Sequence, residues 1–132
     1  MQTLLRQMWV LVFIGFIGGV NVLADEAAVK QILDDPDLFS RQQVKSIRER
    51  SKSLATAQES AILSISIQAG PSLDVVVNKY GKSDSTMESL PMPPENRSLI
   101  IHWYGNLGLA VPQGDKNRHI VALFVEGPKE LP

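Results

Sequence analysis

Apolar and polar positions change rhythm several times along the chain. Met8 to Val20 (MWVLVFIGFIGGV) is an unbroken run of apolar residues and glycine. Between Asp25 and Leu33, residues Ala28, Val29, Ile32 and Leu33 share one helical face. Asp34-Asp35-Pro36 stops that helix, because the proline ring disfavours helical backbone in the residue before it. A second helix is predicted over about 36–58, with Asp35 as N-cap, Pro36 at the first helical position and Asp37 at the positive end of the dipole. Leu38, Phe39, Val44, Ile47, Leu54 and Ala55 recur there at spacings of mostly three, four and seven, while Ser51 falls on the apolar stripe and dilutes it.

The rhythm then becomes that of a strand. In Ile62–Ile67 (ILSISI) the apolar Leu63, Ile65 and Ile67 alternate with Ser64 and Ser66. Gly70-Pro71-Ser72 breaks the strand, and Ser72 can cap a short helix over Leu73–Tyr80 with Asp74 in its first turn and Gly81 past its end. Val75, Val76 and Val77 favour a strand instead, but cap and stop signals at both ends decide for helix. Lys82–Asn96, with Pro91, Pro93 and Pro94, reads as a loop. Leu99, Ile101 and Trp103 alternate with Ile100, His102 and Tyr104, and Gly105-Asn106 makes a two-residue turn into Leu107, Leu109 and Val111. Turn formers fill Pro112–Arg118, and His119–Val125 is a continuous apolar strand. The expected fold is α+β: N-terminal helices, then a short helix and a three-stranded antiparallel β-meander covered on one face by helix. Whether residues 62–67 join the sheet stays open at this level.

The amino terminus has the layout of a secretory signal peptide. Arg6 precedes the apolar run, Val22 and Ala24 are small residues before a cut at 24, and Asp25-Glu26 follow. Sixteen of the first 24 residues are hydrophobic, so much of the 44% average belongs to this segment. An uncleaved anchor is the alternative, since residues 7–24 approach the roughly 18–20 residues that cross a bilayer. Three units follow: 1–24 signal peptide or anchor, 25–60 helical lead-in, 61–132 small α+β domain. The expected location is the periplasm or cell envelope. The alternative is a single-pass membrane protein, held through residues 8–23, with its C-terminal domain outside the cytoplasm.

The net charge of −1 supplies no global field for nucleic acid. The absence of cysteine removes disulfides, thiolate metal sites, thiol catalysis and the lipidated cysteine of a bacterial lipoprotein. The two histidines, His102 and His119, would need carboxylates to complete a metal site, and their settings fit ordinary edge histidines better. Serines can be combined on paper with either histidine and Asp74, Asp84 or Asp115, yet no GxSxG elbow is present. Asp34, Asp35 and Asp37 lack EF-hand spacing, and helix stop and start accounts for them. Gly105 and Gly108 lack phosphate-loop spacing. Asn96-Arg97-Ser98 matches a glycosylation sequon. No catalytic, cofactor-binding or metal site is expected.

The words Ala69-Gly70-Pro71-Ser72 with Val76, Tyr80-Gly81-Lys82-Ser83-Asp84 and His102-Trp103-Tyr104, before a late hydrophobic hairpin, resemble the SmpA/OmlA (BamE-like) family of small envelope domains over about residues 62–126. Pro71 stands where that pattern prefers a larger residue, Ser83 where proline is usual, and no lipidation cysteine follows the signal. The resemblance implies a non-enzymatic envelope module that binds other proteins. Two surfaces are candidates for contact. Arg41, Lys45, Arg48 and Lys52 fall on one helical stripe with Arg50 near, a basic patch suited to anionic lipid or another anion. His102 and Tyr104 form a candidate partner surface on the sheet, with Trp103 expected in the core. The functional expectation is an exported binding or scaffolding module without cofactor, monomeric or weakly associated, whose partner is another envelope protein. The alternative is a membrane-anchored structural protein whose basic helix contacts anionic lipid.

Overall fold

The computed structural model describes residues 27–91 and 96–132. The signal peptide or anchor expected over 1–24 lies outside them. Within them the fold is α+β, with three helices and one five-stranded antiparallel sheet.

Helix α1 covers residues 27–34 and ends where Asp35 and Pro36 predict. Helix α2, Arg41–Ala57, starts five residues later than expected because Ser40, not Asp35, is its N-cap. Ser40 Oγ accepts from the Gln43 amide while the Gln43 side chain accepts from the Ser40 amide, a reciprocal capping box. Asp35 instead closes the tight turn between the helices: its side chain accepts from the Asp37 amide and its carbonyl from Leu38. Helix α3, Leu73–Tyr80, begins at the Ser72 cap as expected. Gly81 follows it at φ +91° and ψ −178°, a backbone that an L side chain rarely adopts.

The strands are β1 (Ile62–Ser66), β2 (Ser85–Glu88), β3 (Leu99–Tyr104), β4 (Leu107–Pro112) and β5 (Ala122–Glu126), in the order β1-β5-β4-β3-β2. The predicted meander β3-β4-β5 is the middle of this sheet rather than the whole of it. The β3–β4 turn is Gly105-Asn106, with Tyr104 opposite Leu107 and Gly105 at φ +59°. Two strands extend the meander to five. Residues 62–66 pair along β5, with Leu63 opposite Val125 and Ile65 opposite Leu123. Residues 85–88, inside the expected loop, pair with β3 as the other edge, with Met87 opposite Ile101. The last strand starts at Ala122 rather than His119. His119 makes an isolated bridge to Ser72, and the Ile120 amide donates to the Pro71 carbonyl.

The register sorts the side chains onto two faces. Tyr104, Leu107, Leu109, Val111, Leu123 and Val125 point to the helices and meet Val29, Ile32, Phe39, Ile47, Leu54, Leu73 and Val76 in one core. Each such side chain fully removed from water is worth about 1.5–3 kcal/mol. Ser51, the polar residue on the apolar stripe of α2, is buried, and its Oγ accepts from the Leu131 amide at 2.6 Å, so it fastens the C-terminal tail to the helix. On the opposite face Ile101, Trp103, Ala110, Ala122 and Phe124 form a second apolar cluster, joined by Ile62, Met87 and Leu99.

Candidate functional site

The second face of the sheet is the strongest candidate. Its middle strands carry small residues, Gly108 and Ala110 on β4 and Ala122 on β5, aligned by the pairs Gly108–Phe124 and Ala110–Ala122. Larger residues rise on either side: Trp103, Ile101, Leu99 and Met87 towards β2, Phe124 and Ile62 towards β1. We call this apolar face, small on its central strands and with Ile101 and the Trp103 ring packed against Gly108, the trough. Gly108 is required by close approach. A Cβ there would lie 2.7 Å from Ile101 Cγ2 and 3.1 Å from Trp103 Cζ3, so the absence of a side chain lets Ile101 and the indole sit against the strand. Among the described residues, this cluster contains no helix residue, unlike the core on the other face. Its side chains are nonetheless buried: Trp103 is 0% exposed, Ala122 8% and Phe124 9%. An antiparallel sheet with helices on one side ordinarily turns polar residues outward on the other. The alternation that would mark such a face is missing from β4 and β5.

The basic stripe of α2 comes together as expected. Arg41, Lys45, Arg48 and Lys52 all line one groove of about 720 Å³, over a floor that includes Leu33, Phe39 and Val44. The groove also holds Asp34, Asp35, Glu49 and Glu130, four carboxylates against four basic groups. The charge that stands out on the helix in isolation is therefore matched locally. Arg48 is engaged, with its guanidinium 2.9 Å from Asp34 and donating to the Pro132 carbonyl at 3.3 Å. Arg50 donates to the Ser64 carbonyl and ties α2 to β1.

Asp35 anchors a polar cluster at the edge of this groove. Its carboxylate accepts from Tyr80 Oη at 2.5 Å and from Lys79 Nζ at 3.1 Å, joining the α1–α2 turn to the end of α3. The Tyr80 hydrogen bond, followed by the Asp37 amide, holds the Asp35 carboxyl below its ordinary value, and burial opposes them. The same carboxylate raises Lys79 and Tyr80. Asp37 contributes at 3.6 Å from Lys79. The three aspartates thus serve ion pairing and turn closure. Among the described residues no group of three metal-capable side chains gathers.

The histidine candidates are dispersed among ordinary contacts. Tyr104 is 1% exposed and points into the helix-side core, where its hydroxyl donates to the Gly81 carbonyl at 2.7 Å. Burial first, and the Asp84 carboxylate second, push it up to about 12. Tyr104 therefore offers no outer surface. His102 lies on the same face and is half-buried; desolvation, with Arg118 adding to it, lowers its pKa. Trp103 is fully buried, as expected of a core residue, but in the second cluster rather than against the helices. Ser72, His119 and Asp115 do come near one another, but as a turn. Ser72 Oγ donates to the Asn117 carbonyl and accepts from the Asp74 amide, while Asp115 accepts from the amides of Asn117 and His119. His119 Nδ1 stands 3.9 Å from Asp115, beyond hydrogen-bond distance. The serine hydroxyl is committed to capping and bridging.

The trough escaped sequence reasoning because its two halves lie on strands read one at a time. The available signal was the small-residue series Gly108, Ala110 and Ala122 on strands otherwise filled with Leu, Val and Phe. No family model, characterised protein or solved structure matches the chain.

Proposed function

We propose that this protein is an exported module of the bacterial cell envelope that works by binding another envelope protein, without catalysis, and that residues 1–24 are its signal peptide. The observation that carries this reading is the apolar trough on the second face of the sheet. A two-layer α+β domain needs only one apolar sheet face to fold, so a second one with small residues on its central strands is suited to receive an apolar segment of a partner. The resemblance to the SmpA/OmlA family over residues 62–126 points the same way, to a small domain that binds proteins. The missing lipidation cysteine separates this chain from lipid-anchored members. The partner surface moves with this reading from His102 and Tyr104 to the opposite face.

The test is site-specific photo-crosslinking in cells exporting the protein. A benzoylphenylalanine at position 122, on the trough floor, is expected to give an adduct with another protein of stable mass. The same probe in place of Thr56, exposed on α2, is expected to give none. Adducts equal at the two positions, or absent from 122, would overturn the assignment.

One observation favours a second reading, a membrane-anchored structural protein whose α2 lies on lipid: four basic side chains do share one groove with apolar Phe39 and Val44. The matched carboxylates weaken it. Flotation of residues 25–132 with anionic vesicles decides, since this second reading requires binding that fades as salt rises.

A further inference from the structure

Helix α2 carries a separate surface on the helical side of the molecule, away from the trough. Arg41, Lys45, Arg48 and Lys52 follow one another by four, three and four residues, a straight stripe about 16 Å long at the rise of a helix. The stripe borders the groove of about 720 Å³, whose floor includes Leu33, Phe39 and Val44.

The charge of this groove changes once the pairs already made are set aside. Asp34 is held by Arg48 at 2.9 Å, and Asp35 by Tyr80 and Lys79. Arg41, Lys45 and Lys52 remain, with Glu49 and Glu130 as the remaining carboxylates. None of these five side chains makes an ion pair among the described residues. The three cations are exposed, so they are free to meet a ligand.

Their spacing selects the kind of ligand. A second helix laid along α2 advances by the same rise per residue, so carboxylates at its positions i, i+4 and i+11 stay in step with Arg41, Lys45 and Lys52. Its apolar residues then lie over Phe39 and Val44, between the aliphatic stems of the three cations. A membrane surface matches less well: its anionic headgroups meet Glu49 and Glu130 as like charges, and a flat bilayer does not follow the groove to its floor. A helix sets its carboxylates one at a time and leaves those two positions clear. The groove is also open rather than enclosed, which suits a segment lying along it more than a small molecule.

We infer that the groove beside α2 binds an acidic amphipathic helix of a partner protein, with Arg41, Lys45 and Lys52 as the contacts to its carboxylates. This second docking surface stands independently of the one on the sheet.

The probe is a labelled helical peptide of about 16 residues with glutamates at i, i+4 and i+11 and leucines on the adjoining stripe. Its control has the same composition with the glutamates at i, i+2 and i+9, which divides them between two faces. Binding to the full chain, kept soluble in a neutral detergent, is followed by fluorescence anisotropy at low ionic strength. The matched peptide is expected to bind about tenfold more tightly than the control, and Lys45→Glu with Lys52→Glu to remove that advantage. Lys116→Glu, exposed in the turn after β4, is expected to leave it intact. Circular dichroism checks the fold of the double variant, and Lys45→Gln with Lys52→Gln takes its place should it unfold. Equal affinity for the two peptides, or a double variant that binds like the parent, would overturn the inference. Phosphatidylglycerol micelles that displace the matched peptide, and lose their hold in the same double variant, would overturn it in favour of lipid. An adduct at position 122 bears on the trough alone, so either surface can fail without the other.

Discussion

The two faces of the sheet are built from the same strands by different rules. Towards the helices β4 and β5 present Leu107, Leu109, Val111, Leu123 and Val125, large branched side chains that interlock with three helices. Away from the helices the same strands present Gly108, Ala110, Ala122 and Phe124. The first face fills its own volume and completes a core. The second has small residues on its central strands, and Ile101 and the Trp103 ring lean from β3 onto Gly108. A single strand therefore carries the helix-side core on one face and the proposed docking surface on the other, divided by the two-residue period of the β-pleat.

Substitutions on each face can break this division. Leu109→Ala on the helix side should cost about 2–5 kcal/mol by opening a cavity in the completed core. Urea denaturation should show that loss as a lower midpoint. Gly108→Ala should cost about 1–3 kcal/mol through forced displacement of Ile101 and the Trp103 ring. An unchanged midpoint would mean that the indole is free to move off the strand.

Three further substitutions sharpen the account of the helical layer. Ser51→Ala leaves the buried Leu131 amide without its acceptor, for a loss of about 1–3 kcal/mol. Hydrogen exchange should then accelerate at Leu131 while the amides of the β4–β5 ladder stay protected. Asp35→Asn acts on pH dependence. The folded carboxyl is held below its ordinary value of 3.8, so its contribution is present above that value and disappears as pH falls through the lower folded one. Lys79 and Tyr80 are raised, so their share is present below 10.0 and is lost as pH rises through their folded values. Denaturation midpoints of the variant should therefore fall less steeply in acid than those of the parent. The smallest effect is expected from Arg48→Ala, which removes a half-exposed pair with Asp34 worth under about 1 kcal/mol; a larger loss would show that the groove contributes to the core.

Much of this fold is legible where local chemistry acts alone. The Ser72 cap, the Gly105-Asn106 turn and the α1 stop at Asp35-Pro36 each follow from two or three adjacent residues. The start of α2 is misplaced in the sequence reading because Asp35-Pro36-Asp37 and Ser40 with Gln43 are both sound starts, and the pull of Lys79 and Tyr80 on Asp35, 44 and 45 residues away, settles which one is used. Strand β2 is hidden by its short, largely polar sequence, STME, whose pairing comes wholly from β3. The basic stripe is legible as a shared helical face, but Asp34 and Glu130 reach it from other segments and change its charge. The surface position expected for Tyr104 fails because the alternation of β3 does not say which of its two apolar faces meets the helices.

The chain contains two tryptophans, Trp9 and Trp103, the second of them on the apolar sheet face. In the full protein carrying Trp9→Phe, and in residues 25–132, Trp103 is therefore the sole indole and reports directly on the second face. The emission of Trp103 should shift when residues 25–132 bind the protein captured by the probe at position 122. Emission unchanged on binding would contradict the account, because the second face would then lie outside the contact.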